Sequence, residues 1–168
     1  MSQSNSATHL DSGVTDYPTS RFAVAAFDTW DGVHTSIGDL RSGGTKIQDL
    51  NCLGFHRVLA ADPGLRAMHQ SLQLQPLPFQ NNRELISCTC GPVADRLARR
   101  LELGAPTLQV ALSHWLIPRH ATHLQNAVDG DRIVLWVQLF DNDAERRAYQ
   151  SLLASSSNSV GVHDLIGK

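Results

Sequence analysis

The chain has 168 residues, of which 42% are apolar and 18% charged, with a formal net charge of −2 when its eight histidines are neutral. These values suit one globular domain with a core of useful size. They give no basic excess to attract a phosphate backbone, so nucleic-acid binding is not expected. No stretch nears the ~20 apolar residues of a membrane helix, so no membrane partner is expected either.

Residues 1–20, "MSQSNSATHLDSGVTDYPTS", have no hydrophobic period and no basic start followed by an apolar run. They are expected to be a disordered tail and not a secretory signal. The remainder, 21–168, is expected to be a single domain. "RFAVAAFD" (21–28) is a continuous apolar run and predicts a strand covered on at least one face. Asp28 and Thr29 then offer helix N-cap oxygens. Trp30, Val33, Ile37 and Leu40 recur at three- and four-residue steps and predict an amphipathic helix. "SGG" (42–44) stops it, and "KIQDLNCLG" (46–54) reads as a second strand.

Residues 55–131 are too long for a simple connection and are expected to be an insertion, largely helical. Within it "ELISCTC" (84–90) suggests a short strand. Helices are predicted over 91–104, 106–116 and 118–130, with Pro92 and Pro118 at first helical positions and Val93, Leu97, Leu101, Leu108, Ala111, Leu112, Trp115, Ala121, Leu124 and Val128 facing the core. Residues 62–83, broken by Pro and Gln, read as loop.

The strand–helix–strand layout then returns. "RIVLWVQLF" (132–140) is a strand, Asp141 or Asn142 can cap a helix, and "VGVHDL" (160–165) is the returning strand, with Gly161 and His163 on one side of it. The two units share a spacing: Phe27-Asp28 matches Phe140-Asp141, and Leu40 and Leu153 each lie about twelve residues beyond their Asp. Two β-α-β units in one small chain predict an α+β, ferredoxin-like split β-α-β sandwich: a four-stranded antiparallel sheet, two helices on one face, and a helical insertion between the halves. In "IVLWVQLF" both alternating rows are mainly apolar, so the second face also needs a cover. That cover is expected to be the insertion, a second subunit, or a ligand.

The segment "WLIPRHATHLQNAVDGDRIVLWVQL" resembles the "GIP…A…Y…V…G…ILV.V" stretch of the bacterial general stress protein 17M-like family, also called the heat-induced stress protein domain. "SVGVHDL" is similar to that family's closing strand, and residues 21–54 to its opening strand, helix and strand. Leu116 replaces the usual Gly, and His123 or Leu124 stands near the usual Tyr. The insertion is polar, with Arg96, Arg99, Arg100 and Glu102, where many relatives are Gly- and Ala-rich and apolar. The resemblance implies the fold and a stress-related cytoplasmic setting; it brings no catalytic residues and no cofactor.

No phosphate loop, nucleophile elbow or dinucleotide glycine motif is present, so no catalytic residue is assigned. The odd, sparse cysteines Cys52, Cys88 and Cys90 suit a reducing compartment and are expected to be ordinary buried thiols. His120 and His123, three apart on a helix, could face one metal ion, with His114, His163 or Cys90 as a third ligand. Trp136, His34 and His163 are the candidates for a ligand pocket enclosed by two sheets, as in dimeric α/β-barrels. The leading expectation is a non-catalytic interaction or regulatory protein of a bacterial stress response, acting as a homo-oligomer. A small-ligand binder or enzyme of the dimeric barrel kind and a metal-binding protein are the alternatives.

Overall fold

In the computed structural model, residues 19–62, 73–80, 83–156 and 160–166 are described. The first apolar run forms strand β1 (Thr19–Phe27), buried from Phe22 onward. The expected tail lies outside the described residues up to position 18. Its last two residues, Thr19 and Ser20, already belong to β1 and pair with Ile166 and Leu165. Helix α1 (Trp30–Ser42) follows, buried through Val33, Ile37 and Leu40. Of the two cap candidates, Thr29 does the capping, its Oγ1 accepting from Gly32 N at 3.3 Å. Asp28 instead pairs with Arg132 at 2.8 Å. Gly44, at φ +102°, takes the turn out of the helix in a conformation that other residues adopt only at a cost. The expected second strand is shorter than its apolar pattern: Ile47–Asp49 is a 3₁₀ turn, and strand β2 is Leu50–Phe55, with all six residues buried.

The insertion contributes helix α2 (His56–Ala60), strands β3 (Leu74–Leu77) and β4 (Ile86–Thr89), and helices α3 (Pro92–Glu102), α4 (Leu108–Leu112) and α5 (Pro118–Asp129). The second unit is β5 (Ile133–Leu139), α6 (Asn142–Ser155) and β6 (Gly161–Ile166), with Asp141 Oδ1 accepting from Ala144 N at 2.7 Å as the cap of α6.

One sheet contains all six strands in the order β3-β4-β2-β5-β1-β6. Every neighbouring pair is antiparallel. The sheet therefore has six strands where the sequence led to an expectation of four. The insertion lays β4 along the free edge of β2, with Leu53 opposite Cys88, and β3 beyond it. Pairing that edge satisfies backbone groups that a bare strand would leave to water or to another chain. β3 carries Pro76, which is tolerated because β3 is an outermost strand. The two β-α-β units interleave: β5 lies between β1 and β2, and β1 lies between β5 and β6.

Alternation along β1 and β5 sends side chains to two separate apolar layers. Ala23, Ala25, Phe27, Ile133, Leu135 and Val137 pack beneath α1 and α6, through Val33, Ile37, Leu40, Ala148 and Leu152. Phe22, Val24, Ala26, Val134 and Trp136 face the other way and are covered by α3, α4 and α5, through Val93, Leu97, Leu108, Leu112, Ala121, Leu124 and Val128. The insertion is thus the cover for the second face. Both faces of β1 and β5 are covered by described helices of the same chain.

The insertion is also fastened by polar groups. Helix α3 begins after Gly91 without a side-chain cap of its own. Asn51 of β2 supplies one across the sheet: its Oδ1 accepts from Val93 N at 3.3 Å and its Nδ2 donates to Thr89 O at 3.1 Å. A Cβ on Gly91 would lie 2.4 Å from that Nδ2, so this close approach requires glycine.

Trp136 is fully buried and meets Phe22 edge-on, ring centroids 6.0 Å apart. Its indole N–H finds no acceptor among the described residues. Truncation to alanine empties the centre of the insertion-side core and is expected to cost about 3–5 kcal/mol. Trp136→Phe keeps most of the ring packing and removes the unmet donor, so it should cost no more than about 1–2 kcal/mol. Urea unfolding midpoints of the two variants check this; equal losses would contradict the placement.

Candidate functional site: a histidine-lined cleft

The β1–β6 pairing ends at Val24 opposite Gly161. Ala25 and Ala26 continue beyond it, and α5 passes above this end of the sheet. A cleft of about 330 Å³ opens between them. Its apolar wall is Val24, Ala25, Ala26, Leu124, Val160 and Gly161; its polar wall is Arg119, His120, His123 and His163.

Local structure explains why these polar groups converge. Pro118 starts α5 at the first helical position, and Ala121, Leu124 and Val128 turn into the core. Arg119, His120 and His123 then fall on the adjoining flank, since positions three and four apart share a face. His163 projects from β6 on the same side of the sheet as Phe22, its partner on β1. The His120 and His163 rings meet edge-on with centroids 5.1 Å apart. Arg119 Nη2 donates to His120 Nε2 at 3.5 Å. A Cβ on Gly161 would sit 2.8 Å from His163 Nε2, so the glycine lets the imidazole lie back over its own strand.

No carboxylate is among the described residues lining the cleft. The neighbouring Asp164 turns to the opposite face of the sheet, where Arg21 Nη1 bonds both its oxygens at 3.1 Å. Burial holds the His163 imidazole below the ordinary histidine value of 6.5; His120 pushes it the same way and Asp164 opposes both.

The structure regroups the candidates read from the sequence. Trp136, proposed as a ligand-facing residue, has no exposed surface and belongs to the core. His34 is on α1, over the other face, where its Nε2 lies 2.7 Å from Asp62 Oδ2 and its ring tilts on Trp30 at 5.6 Å. The three therefore do not converge. His163 instead joins His120 and His123, the pair proposed for a metal. Even so, no three His, Cys, Asp or Glu side chains among the described residues are grouped as a metal ion requires. The other suggested ligands are elsewhere: His114 Nδ1 accepts from Arg100 Nη1 at 2.8 Å, and Cys90 follows β4. Cys52 and Cys88 are buried on opposite faces. Burial raises the Cys52 thiol to about 12 and Cys88 well above 9.0, so neither is a ready thiolate.

Sequence reasoning missed Arg119 and the role of Gly161. Arg119 directly precedes the predicted histidine pair, and Gly161 shares a strand face with His163, so both signals were available once the strand and helix were brought together. No protein-family model, no curated protein and no solved structure matches the chain. No helix among the described residues is long and apolar enough to cross a membrane.

The lowered His163 value has a consequence for stability. Between its native value and 6.5 the unfolded chain binds the proton more readily than the folded one. Stability is accordingly lost as pH falls through that window and regained as pH rises out of it. His114, lowered by burial and by Arg100, acts in the same direction. His163→Gln should flatten the acid side of a plot of unfolding free energy against pH; an unchanged slope would contradict the burial of this imidazole.

Proposed function

We propose that the chain is a non-catalytic small-ligand-binding protein whose site is the cleft between α5 and the β1–β6 end of the sheet. The observation that carries this reading is the convergence of three imidazoles and one guanidinium over an apolar floor. Ligand sites generally combine an apolar lining with a few convergent polar groups in this manner, and about 330 Å³ is within the range that small molecules occupy. The described lining combines imidazoles and a guanidinium with hydrocarbon, a set suited to holding a polar head and an apolar body.

We further infer that β2-β5-β1-β6, with α1 and α6, is a ferredoxin-like split β-α-β core whose second face has been closed by the insertion. Support comes from the interleaving of the two units and from their matched spacing. A role in a bacterial stress response, as a sensor or regulatory partner in the cytoplasm, is supported by the sequence resemblance of residues 21–54 and 116–165. The homo-oligomer that accompanied this reading loses its main argument, because each chain covers both faces of its own sheet.

Titrating a set of neutral, acidic and basic small aromatic compounds into isotope-labelled protein tests the binding site. Amide shifts should cluster at Val24, Ala25, Ala26 and Gly161 and weaken in Gly161→Ala, whose added methyl displaces the His163 ring. Shifts confined to other surfaces, or none with any compound, would overturn the assignment.

A further inference from the structure

Among the described residues lining the cleft, the charged groups are of one sign. On the α5 wall Arg119 is always cationic, and His120 and His123 each add a positive charge when protonated. The β6 wall adds His163. The acids nearest to this wall are directed away: Asp164 passes to the far side of the sheet and is held by Arg21, which also bonds Glu145 Oε1 at 2.8 Å. Helix α5 adds to the bias, since its positive N-terminal end carries Arg119 and His120. Below these groups the floor is hydrocarbon from Val24, Ala26 and Leu124.

We propose that the cleft recognises a small organic acid, its carboxylate held by Arg119 with His120 and His163 and its apolar body laid on the floor formed by β1 and Leu124. This rests on the reading of the cleft as the ligand site and specifies the ligand class. A guanidinium fork matches a carboxylate in geometry, and charge-assisted hydrogen bonds of this kind are about twice as strong as neutral ones. The two imidazoles, 5.1 Å apart between ring centres, repel each other when both are protonated; an anion held beside both relieves that repulsion. Binding the acid therefore draws protons onto the pair. Arg119, His120, His123 and Asp164, with Arg21 and Glu145 behind Asp164, are the charged groups around His163 that set this balance.

Three probes of nearly one shape separate the possibilities: benzoate, benzamide and benzylamine, each titrated by calorimetry and by amide shifts into the full chain. Benzoate is expected to shift Val24, Ala25, Ala26 and Gly161, to bind at least about tenfold more tightly than benzamide, and to bind more tightly at about pH 6 than at about pH 8. Calorimetry in buffers of different ionisation enthalpy should show proton uptake on binding. Arg119 is exposed, so Arg119→Ala should fold as the parent does by circular dichroism and lose about tenfold in benzoate affinity. Equal binding of benzoate and benzamide, or tighter binding of benzylamine, would overturn the acid class while leaving the cleft as a ligand site. No shift at the cleft with any of the three would overturn both readings. Zn²⁺ added alone forms the last arm: stoichiometric uptake, with benzoate bound only in its presence, would overturn the direct recognition of the acid.

Discussion

Two strands at the centre of the sheet are apolar on both faces, and this constraint determines the arrangement of everything else. Ile133, Leu135 and Val137 of β5 face α1 and α6, while Val134 and Trp136 face α3, α4 and α5. Each large apolar side chain withdrawn from water contributes roughly 1.5–3 kcal/mol, so neither row can be left wet in a stable domain. A pair of β-α-β units can supply only the helices on one side. The insertion supplies the other side and, through β4 and β3, pairs the edge of β2 as well.

The position of the cleft follows from that covering. A helix laid across a sheet fits closely at the middle and diverges at the margin, where the strand pairing runs out. Here β6 begins opposite Val24, two residues short of Ala26, and α5 begins its first turn over the same place. The core face of α5 is taken by Ala121, Leu124 and Val128, which leaves its adjoining flank to carry Arg119, His120 and His123 along the rim. The polar residues of the cleft are thereby placed on a helix and a strand, which hold side chains in narrower positions than loops do.

Much of the scaffold was readable in the chain because its signals are local. Thr29 and Asp141 cap the helices that their spacing from the apolar runs predicts, and Val33, Ile37 and Leu40 are buried as the helical period requires. The alternation in β5 stated that a second cover must exist, and the insertion helices were visible in outline. What stayed hidden depends on contacts between distant segments. β3 is Leu74 between two glutamines and Leu77 between two prolines, a weak pattern that becomes a strand only because β4 offers it an edge. Helix α2, five residues long, has too little period to announce itself. Trp136 and His34 do not join His163 for a related reason: the insertion buries Trp136, and His34 sits on α1 over the other face. His120 and His163 meet, with His123 on the same cleft, only when the fold brings α5 beside β6, and no spacing along the chain encodes that meeting.

The central claim is that the insertion is an integral layer of one cooperative core, and native-state hydrogen exchange reads this directly. If it is correct, the amides of Leu124, Ala127 and Val128 in α5 should exchange only through global unfolding, with the same opening free energy as Leu135 and Val137 in β5. Exchange of the α5 amides through a separate opening, with β5 still protected, would contradict it: the insertion would then be a detachable layer, and the cover of the second face would have to be sought elsewhere.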